Sequence, residues 1–264
     1  MNFWEKYYHT TKTNRSYVCV GLDSDLSLIP EHLMREQNPI LEFNKQIIAA
    51  TVDQVAAYKL NYAFYISQGQ KGLEALKQSI AIIPDHIPVI IDCKIGDIAN
   101  TMVQYGKAFF EELQADAITV NPLMGEDVIT PLSNYKDKML FLLALTSNPS
   151  ATDFLKRNQL SKNIATKIAQ WGSDQIGAVV GATNTDELSE MRQLMPKTLF
   201  LIPGVGAQGG NLSDVMKNAL SSKEDPRILI NSSRGIIFKE RGKDFAKIAS
   251  IETENLRRAI NEYI

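Results

Sequence analysis

Three ionisable residues lie close together in the stretch Ile90–Ile98, whose sequence reads IIDCKIGDI. Asp92, Lys94 and Asp97 follow a short apolar run, and a run of this kind predicts a buried strand. Residues 92 and 94 of an extended strand point to the same side, so a carboxylate and an ammonium should emerge together at the strand's carboxyl end. Isolated buried charges are costly. These groups are therefore either a structural ion pair with a solvated Asp97 or a set kept for chemistry.

The chemistry open to this stretch depends on lysine and carboxylates. His9, His32 and His86 all lie away from the predicted strand ends, so the sequence offers no histidine base and no histidine-based metal site. Lys59, in the second predicted strand, could join the other charges in an alternating row that keeps each ammonium protonated. A protonated lysine beside a reacting carbon is a proton donor, whereas a neutral lysine would indicate a Schiff base. The alternating row favours the donor.

The rest of the chain alternates strand and helix patterns. Apolar runs predict eight strands, at Val18–Leu22, Tyr58–Tyr65, Pro88–Ile91, Ala117–Val120, Met139–Leu145, Ile176–Val180, Leu199–Ile202 and Ile228–Ile230. Helical patterns between them include about Pro39–Ala57, Gln68–Ile83, Ala99–Leu113 and Ser161–Trp171. Eight such units in about 250 residues are typical of a (β/α)8 TIM-type barrel of the α/β class. We predict one barrel domain over residues 1–264, with an N-terminal extension at about 1–16; a doubly wound sheet would normally show a glycine-rich fingerprint after its first strand.

A barrel gathers its active site at the carboxyl ends of its strands. This rule predicts that seven polar side chains meet there: Asp23, Lys59, Asp92, Lys94, Ser147, Gln208 and Arg234. Seven polar residues from different strands at one rim are difficult to explain by separate structural roles.

Two glycine-containing stretches, residues 203–210 and 233–235, follow the last two predicted strands. Barrels frequently bind phosphate at this place on backbone N–H groups, and an arginine adds a forked, permanently charged donor. The pattern predicts a phosphate site that includes Pro203, Gln208, Arg234 and Gly235. The alternative is that the glycines only form tight turns.

Composition excludes several functional classes. The net charge of −2 over 264 residues gives no sign of nucleic-acid or anionic-membrane binding. No run approaches the roughly 20 apolar residues of a membrane span, and Met1–Ser16 does not resemble a signal peptide. Both cysteines, Cys19 and Cys93, fall in predicted strands, so we expect a reduced, cytoplasmic setting.

These motifs together resemble the orotidine 5′-phosphate decarboxylase family, in its longer bacterial branch. The resemblance runs from strand one to strand eight and rests on Asp23, Lys59, Asp92-x-Lys94-x-x-Asp97, Ser147-Asn148-Pro149, Gln208 and Arg234-Gly235. The D-x-K-x-x-D element is shared across a superfamily of phosphosugar-handling barrels. Lys59 is more discriminating, because the magnesium-dependent keto-sugar phosphate decarboxylases carry a glutamate there. The resemblance implies a carbon–carbon lyase that converts orotidine monophosphate to UMP and CO2 in pyrimidine synthesis, with no metal and no organic cofactor.

The resemblance also implies individual roles. Lys94 would protonate C6 of the pyrimidine as CO2 leaves, and Asp92 would sit near the departing carboxylate, either repelling it or holding Lys94. Lys59 and Asp23 would bind the ribose, and Ser147 would contact the pyrimidine edge. A snorkelling lysine and local turn or helix caps are the structural alternatives for these last three residues.

The resemblance gives Asp97 a role in the assembly of two subunits. With Ile98 and Thr101 it would reach the ribose side of the neighbouring subunit's site in a homodimer, although an aspartate that opens a helix is often only a cap. The segment Ala207–Leu212 would close over the phosphate. Two rival functions remain: a magnesium-dependent decarboxylase or aldolase of the same superfamily, and a non-catalytic barrel that senses UMP.

Overall fold

The computed structural model of the protein describes residues 1–172, 174–183, 185–205 and 210–264. In these residues eight parallel strands close into a barrel, and each strand pairs with the next along the chain until the last pairs with the first. The strands are β1 Val18–Gly21, β2 Ala57–Asn61, β3 Val89–Ile95, β4 Ala117–Val120, β5 Met139–Leu145, β6 Ile176–Val180, β7 Phe200–Pro203 and β8 Ile228–Ser232. The sequence prediction of a single (β/α)8 barrel is confirmed.

Helices connect the strands and form the outer layer. Their bounds are α1 Phe3–Thr13, α2 Pro39–Thr51, α3 Tyr62–Ile66, α4 Gly69–Ile82, α5 Ala99–Gly106, α6 Leu160–Trp171, α7 Thr185–Leu194, α8 Leu212–Ala219, α9 Arg234–Ile237 and α10 Phe245–Asn261. A π-helical turn, Lys107–Glu112, extends α5, and the connection after β4 consists of the 3-10 turns Pro122–Val128 and Thr130–Leu132. No helix of the described residues is long and apolar enough to cross a membrane.

The strands are apolar on both faces because both faces are covered. Side chains that alternate along each strand belong to two separate clusters: Val18 and Val20 pack with the outer helices, whereas Cys19 packs with Ile90 and Phe141 inside the barrel. Parallel strands buried in this way have nearly continuous hydrophobic sequences. This explains why the apolar runs were sufficient to locate β4, β5 and β6.

The N-terminal extension is a helix that closes the amino end of the barrel. Helix α1 begins at a capping box formed by Asn2 and Glu5. Phe3 and Tyr7 are each 1% exposed and join the cluster inside the barrel, where the Phe3 ring lies 5.8 Å from that of Phe141. Lys6 forms an ion pair of 2.7 Å with Asp116, the residue just before β4. The segment is thus part of the core at the end opposite the strand carboxyl termini.

The second strand is shorter than the sequence predicted. The strand expected over Tyr58–Tyr65 ends at Asn61, whose side-chain oxygen accepts a hydrogen bond of 3.2 Å from the backbone N–H of Ala63 and so caps α3. The helix expected to reach Ala57 also stops early, at Thr51. Apolar content is similar in strand and helix here, so the pattern alone could not locate the boundary.

We predict that Phe3→Ala lowers the free energy of unfolding by roughly 3–5 kcal/mol, because it empties a fully buried aromatic site at the amino end of the barrel. Urea unfolding monitored by circular dichroism measures the loss. Tyr8→Ala is the matched control, since Tyr8 lies on the same helix but is 45% exposed; its cost should stay below about 1 kcal/mol. Equal losses for the two variants would contradict a role of α1 as a plug.

Candidate active site

The carboxyl ends of the strands surround a cavity of about 460 Å³, a size usual for a small-molecule site. Predicted site residues that line it are Asp23, Lys59, Asp92, Lys94, Ser147, Pro203 and Arg234. His9, His32 and His86 are not among the lining residues. A larger hollow of about 730 Å³ opens near Trp4 at the amino end. We select the smaller cavity as the candidate site because it contains the paired buried charges, which the larger hollow lacks.

Four charges alternate along one side of the cavity. The Nζ atom of Lys59 lies 3.1 Å from Asp92 Oδ2 and 3.5 Å from Asp23 Oδ1. The Nζ atom of Lys94 lies 2.6 Å from Asp92 Oδ1. We call Asp23, Lys59, Asp92 and Lys94 the charge array. The Lys59 side chain is only 5% exposed, whereas that of Lys94 is 47% exposed, so Lys94 is the end of the array that a ligand can reach.

The two central members of the array, Lys59 and Asp92, hold each other in their charged forms. Burial by itself would raise the pKa of Asp92, but the ammonium groups of Lys59 and Lys94 lower that pKa well below its usual range. Burial would lower the pKa of Lys59, but the Asp23 and Asp92 carboxylates raise it above its usual value. The stabilisation from Asp92 is present above its ordinary pKa of about 4 and is lost as the pH falls through the depressed folded-state value. That from Lys59 is present below about 10.4 and is lost as the pH rises through the raised value.

Strand β3 does not follow regular alternation at the site. Its pairing with β4 shifts between Ile91 and Ile95, and Lys94 has a positive φ of 47°. The side chains of Asp92 and Lys94 both reach the cavity as the sequence predicted, but a bulge rather than an extended strand directs them there. Gly96 lies just beyond the bulge, where a Cβ atom would come within 2.8 Å of the Asn121 carbonyl oxygen, so the close approach to β4 requires glycine.

Asp97 lies outside the charge array. It lies two residues beyond the end of β3, and its side-chain oxygen accepts a 2.8 Å hydrogen bond from the backbone N–H of Ile98. Among the described residues Asp97 forms no ion pair within its own chain, whereas the sequence had placed it in the same row of charges as Lys94. The second carboxylate of the array is Asp23, at the opposite end, beside Lys59. Ile98 and Thr101 are exposed and do not line their own barrel's cavity.

The opposite side of the cavity has the features of an anion site. Gly204 has a positive φ of 96°. Arg234 starts α9, which only Ser233 separates from β8, and Gly235 is next to it. Among the described residues Arg234 forms no ion pair, and the buried Ser233 hydroxyl has no hydrogen-bond partner. Gln208, and the part 207–209 of the predicted closing loop, lie outside the described residues. An exposed charged donor, Arg234, therefore lines one end of the cavity, next to a buried hydroxyl on Ser233.

Sequence reasoning missed several polar residues of the cavity, among them Asn61, Thr119 and Asn231. Each occupies one of the last two positions of its strand. Asn231 is buried and donates a 3.0 Å hydrogen bond to the carbonyl oxygen of Cys19 on the adjacent strand β1. A polar residue close to the carboxyl end of a predicted strand was the available signal.

Comparisons with known proteins agree with this geometry. The model of the "Orotidine 5'-phosphate decarboxylase / HUMPS family" matches residues 16–247. The orotidine 5′-phosphate decarboxylase of Phocaeicola vulgatus is 40% identical over 262 residues, covering 96% of each chain. That of Flavobacterium johnsoniae is 42% identical over 258 residues, covering 95% of this chain and 94% of the relative. The solved structure of Leishmania donovani OMP decarboxylase superposes with a TM-score of 0.83 at 33% identity, covering 99% of each chain.

We predict that Lys59→Met lowers the free energy of unfolding by about 3–5 kcal/mol at pH 7, because it leaves two carboxylates without their buried cation. The penalty should shrink toward pH 4, since Asp92 regains a higher pKa without Lys59 and its protonation relieves the uncompensated charge. Urea unfolding at several pH values measures both effects.

The matched control is Lys45→Met, which removes an exposed lysine 3.7 Å from Glu42. Surface pairs contribute about 0–1 kcal/mol, so this change should be nearly neutral at every pH. A Lys59→Met penalty that stayed constant from pH 7 to pH 4 would show that Lys59 does not hold the carboxylates.

Proposed function

The chain belongs to the orotidine 5′-phosphate decarboxylase / HUMPS family, and we propose that its cavity decarboxylates orotidine monophosphate with Lys94 as the proton donor. The activity is that of an orotidine 5′-phosphate decarboxylase, which forms UMP and CO2 in pyrimidine biosynthesis. The observation that carries the proposed mechanism is the charge array, which ends in an accessible lysine beside a buried carboxylate.

The array can assist the reaction in two ways. When the bond between C6 and the carboxylate breaks, its electron pair remains on C6, and the Lys94 ammonium delivers a proton there. Charges fixed in place before the reaction stabilise the developing carbanion without reorganisation. Asp92 lies within 2.6 Å of the Lys94 Nζ atom, so it is able to hold the ammonium and, in the same position, to repel a substrate carboxylate.

The other cavity residues would bind the rest of the nucleotide. We assign the ribose to Asp23 and Lys59, the pyrimidine edge to Ser147, and the phosphate to Pro203, Gln208, Arg234 and Gly235. The anion-binding features described above support the last assignment, because phosphate needs several N–H or O–H donors and a cation. Binding energy from the distant phosphate can be used to raise the rate at C6.

The position of Lys59 argues against the magnesium-dependent alternative. Its ammonium lies between Asp23 and Asp92, at the place where a divalent cation shared by these carboxylates would have to sit. A cation and an ammonium would repel each other there.

The free thiols Cys19 and Cys93 support our proposal of a cytoplasmic location.

We further propose that the functional unit is a two-fold homodimer in which Asp97 completes the neighbour's site. Exposed apolar side chains flank Asp97 on two adjacent connections that contact each other, namely Ile98, Tyr105, Leu123 and Met124. A patch of this kind often marks a protein interface. Lys94 has a carboxylate on one side and the open cavity on the other, so Asp97 of the partner subunit would extend the alternation beyond Lys94.

We predict that Lys94→Ala folds normally but loses at least about 10²- to 10⁴-fold in turnover, the range for general acid catalysis. The assay follows the loss of orotidine monophosphate absorbance, with Lys45→Ala as a surface control. Near-normal turnover in folded Lys94→Ala would reject the proton-donor role.

Wild-type activity should survive exhaustive treatment with EDTA. Activity lost to EDTA and restored by magnesium would favour the rival magnesium-dependent decarboxylase.

We predict that mixing inactive Lys94→Ala and Asp97→Ala proteins restores activity when their subunits exchange. About half of the dimers are then mixed, and each mixed dimer has one intact site, so roughly a quarter of wild-type activity should return. Lys94→Ala mixed with Asp92→Ala is the control, because both residues serve their own barrel and no intact site can form. If exchange is demonstrated and the first mixture stays inactive, Asp97 does not act across the interface.

A further inference from the structure

Thr119 stands opposite the bulge that contains the reactive end of the charge array. On β3 and β4, Ile91 pairs with Ile118 and Ile95 pairs with Val120. The three residues 92–94 of β3 therefore face one residue of β4, and that residue is Thr119. Its side chain lines the cavity, yet the residue is only 1% exposed. Thr119 is thus placed to contact the whole bulge.

The contacts of Thr119 reach all three bulge residues. Its Oγ1 atom accepts a 2.9 Å hydrogen bond from the backbone N–H of Lys94 and donates a 2.8 Å hydrogen bond to Asp92 Oδ1. Its carbonyl oxygen lies 3.5 Å from the Cys93 thiol, which donates to it. A bulge interrupts the regular ladder of strand hydrogen bonds. The threonine hydroxyl provides the Lys94 N–H with an acceptor at this interruption.

The first consequence concerns the backbone of Lys94. Its φ of 47° lies in the left-handed region, which is unfavourable for a long side chain and persists only where neighbouring contacts hold it. The hydrogen bond from the Lys94 N–H to Thr119 is one such contact. The direction in which the Lys94 side chain leaves the strand therefore depends on the Thr119 hydroxyl.

The second consequence concerns the carboxylate of Asp92. Its Oδ2 atom accepts from Lys59, while its Oδ1 atom accepts both from Lys94 Nζ at 2.6 Å and from Thr119 at 2.8 Å. The hydroxyl thus helps Lys59 to orient the carboxylate toward Lys94. The Thr119 side chain therefore contacts both residues of the Asp92–Lys94 pair, one through its backbone and the other through its carboxylate.

We propose that Thr119 is a positioning residue for the decarboxylation, whose hydroxyl holds the Asp92 carboxylate and the Lys94 backbone so that the ammonium points at the reacting carbon. This inference rests on the proposed function of the cavity. Thr119 itself acts through Asp92 and Lys94. The proposal requires that the hydroxyl matters more than the volume of the side chain.

Two substitutions distinguish the effect of the Thr119 hydroxyl from that of the side-chain volume. Thr119→Val keeps the branched shape and suits a strand, but it removes the acceptor of the Lys94 N–H and the donor to Asp92. Thr119→Ser keeps the hydroxyl and loses a methyl group. Thr253→Val is the matched control, because Thr253 is also fully buried and donates a hydrogen bond, of 2.7 Å to the Ala249 carbonyl oxygen in α10, away from the cavity.

The experiment measures kcat and KM for orotidine monophosphate with the full-length variants, together with their crystal structures. We expect Thr119→Val to lose roughly 10- to 100-fold in kcat with little change in KM, since an unpaired buried N–H and a released carboxylate disturb the donor rather than the nucleotide contacts. Thr119→Ser should recover most of kcat, and Thr253→Val should keep it. In the Thr119→Val structure the left-handed φ at Lys94 or the Asp92–Lys94 contact should change.

Three results would overturn the proposal: a wild-type kcat in folded Thr119→Val, an equal loss in Thr119→Ser, or a loss confined to KM. If Thr119→Val does not fold, Thr119→Ala takes its place with the same expectations. Absence of turnover in the wild-type protein would reject the proposed function. The crystal structures would still test whether Thr119 positions Asp92 and Lys94, and an unchanged bulge in the Thr119→Val structure would reject that role.

Discussion

The site depends on one buried cation, Lys59. Its ammonium lies between Asp23 and Asp92 with a side chain that is almost fully covered. Without this cation two carboxylates would share a poorly solvated place, and the pKa of Asp92 would rise. Asp92 stays charged because of Lys59, and Lys94 is held because Asp92 is charged. The position of the accessible Lys94 thus depends on Lys59, the least exposed residue of the array.

The barrel makes this arrangement possible by aligning neighbouring strands. Gly21 pairs with Lys59 across β1 and β2, and Asn61 pairs with Asp92 across β2 and β3. The charges therefore emerge from adjacent strand ends, within reach of one another. At the other end of the barrel α1 fills the interior with aromatic side chains. Packing at the amino end and chemistry at the carboxyl end are separated, as is general in this fold.

Hydrophobic pattern and strand-end position were sufficient to predict the barrel and to place the four residues of the charge array at its rim. The runs Ala117–Val120, Met139–Leu145 and Ile176–Val180 match the observed strands. The pattern failed at Asn61, where strand passes directly into helix, and it classed the N-terminal segment only as an extension although Phe3 and Tyr7 complete the core. The segment has four aromatic residues, and the pattern does not show that two of them are buried inside a distant barrel.

The sequence by itself determined the residue types, their order and the strand ends at which they stand. These features depend on local periodicity, which every short window of the chain contains. Only the tertiary structure decided that the array within the chain begins with Asp23 beside Lys59 and does not continue to Asp97 beyond Lys94. It also decided that β3 bulges at Lys94 and that Thr119 contacts the bulge. The physical reason is that ion pairs and strand register are contacts between residues far apart in sequence. Their distances and directions exist only after the strands have paired.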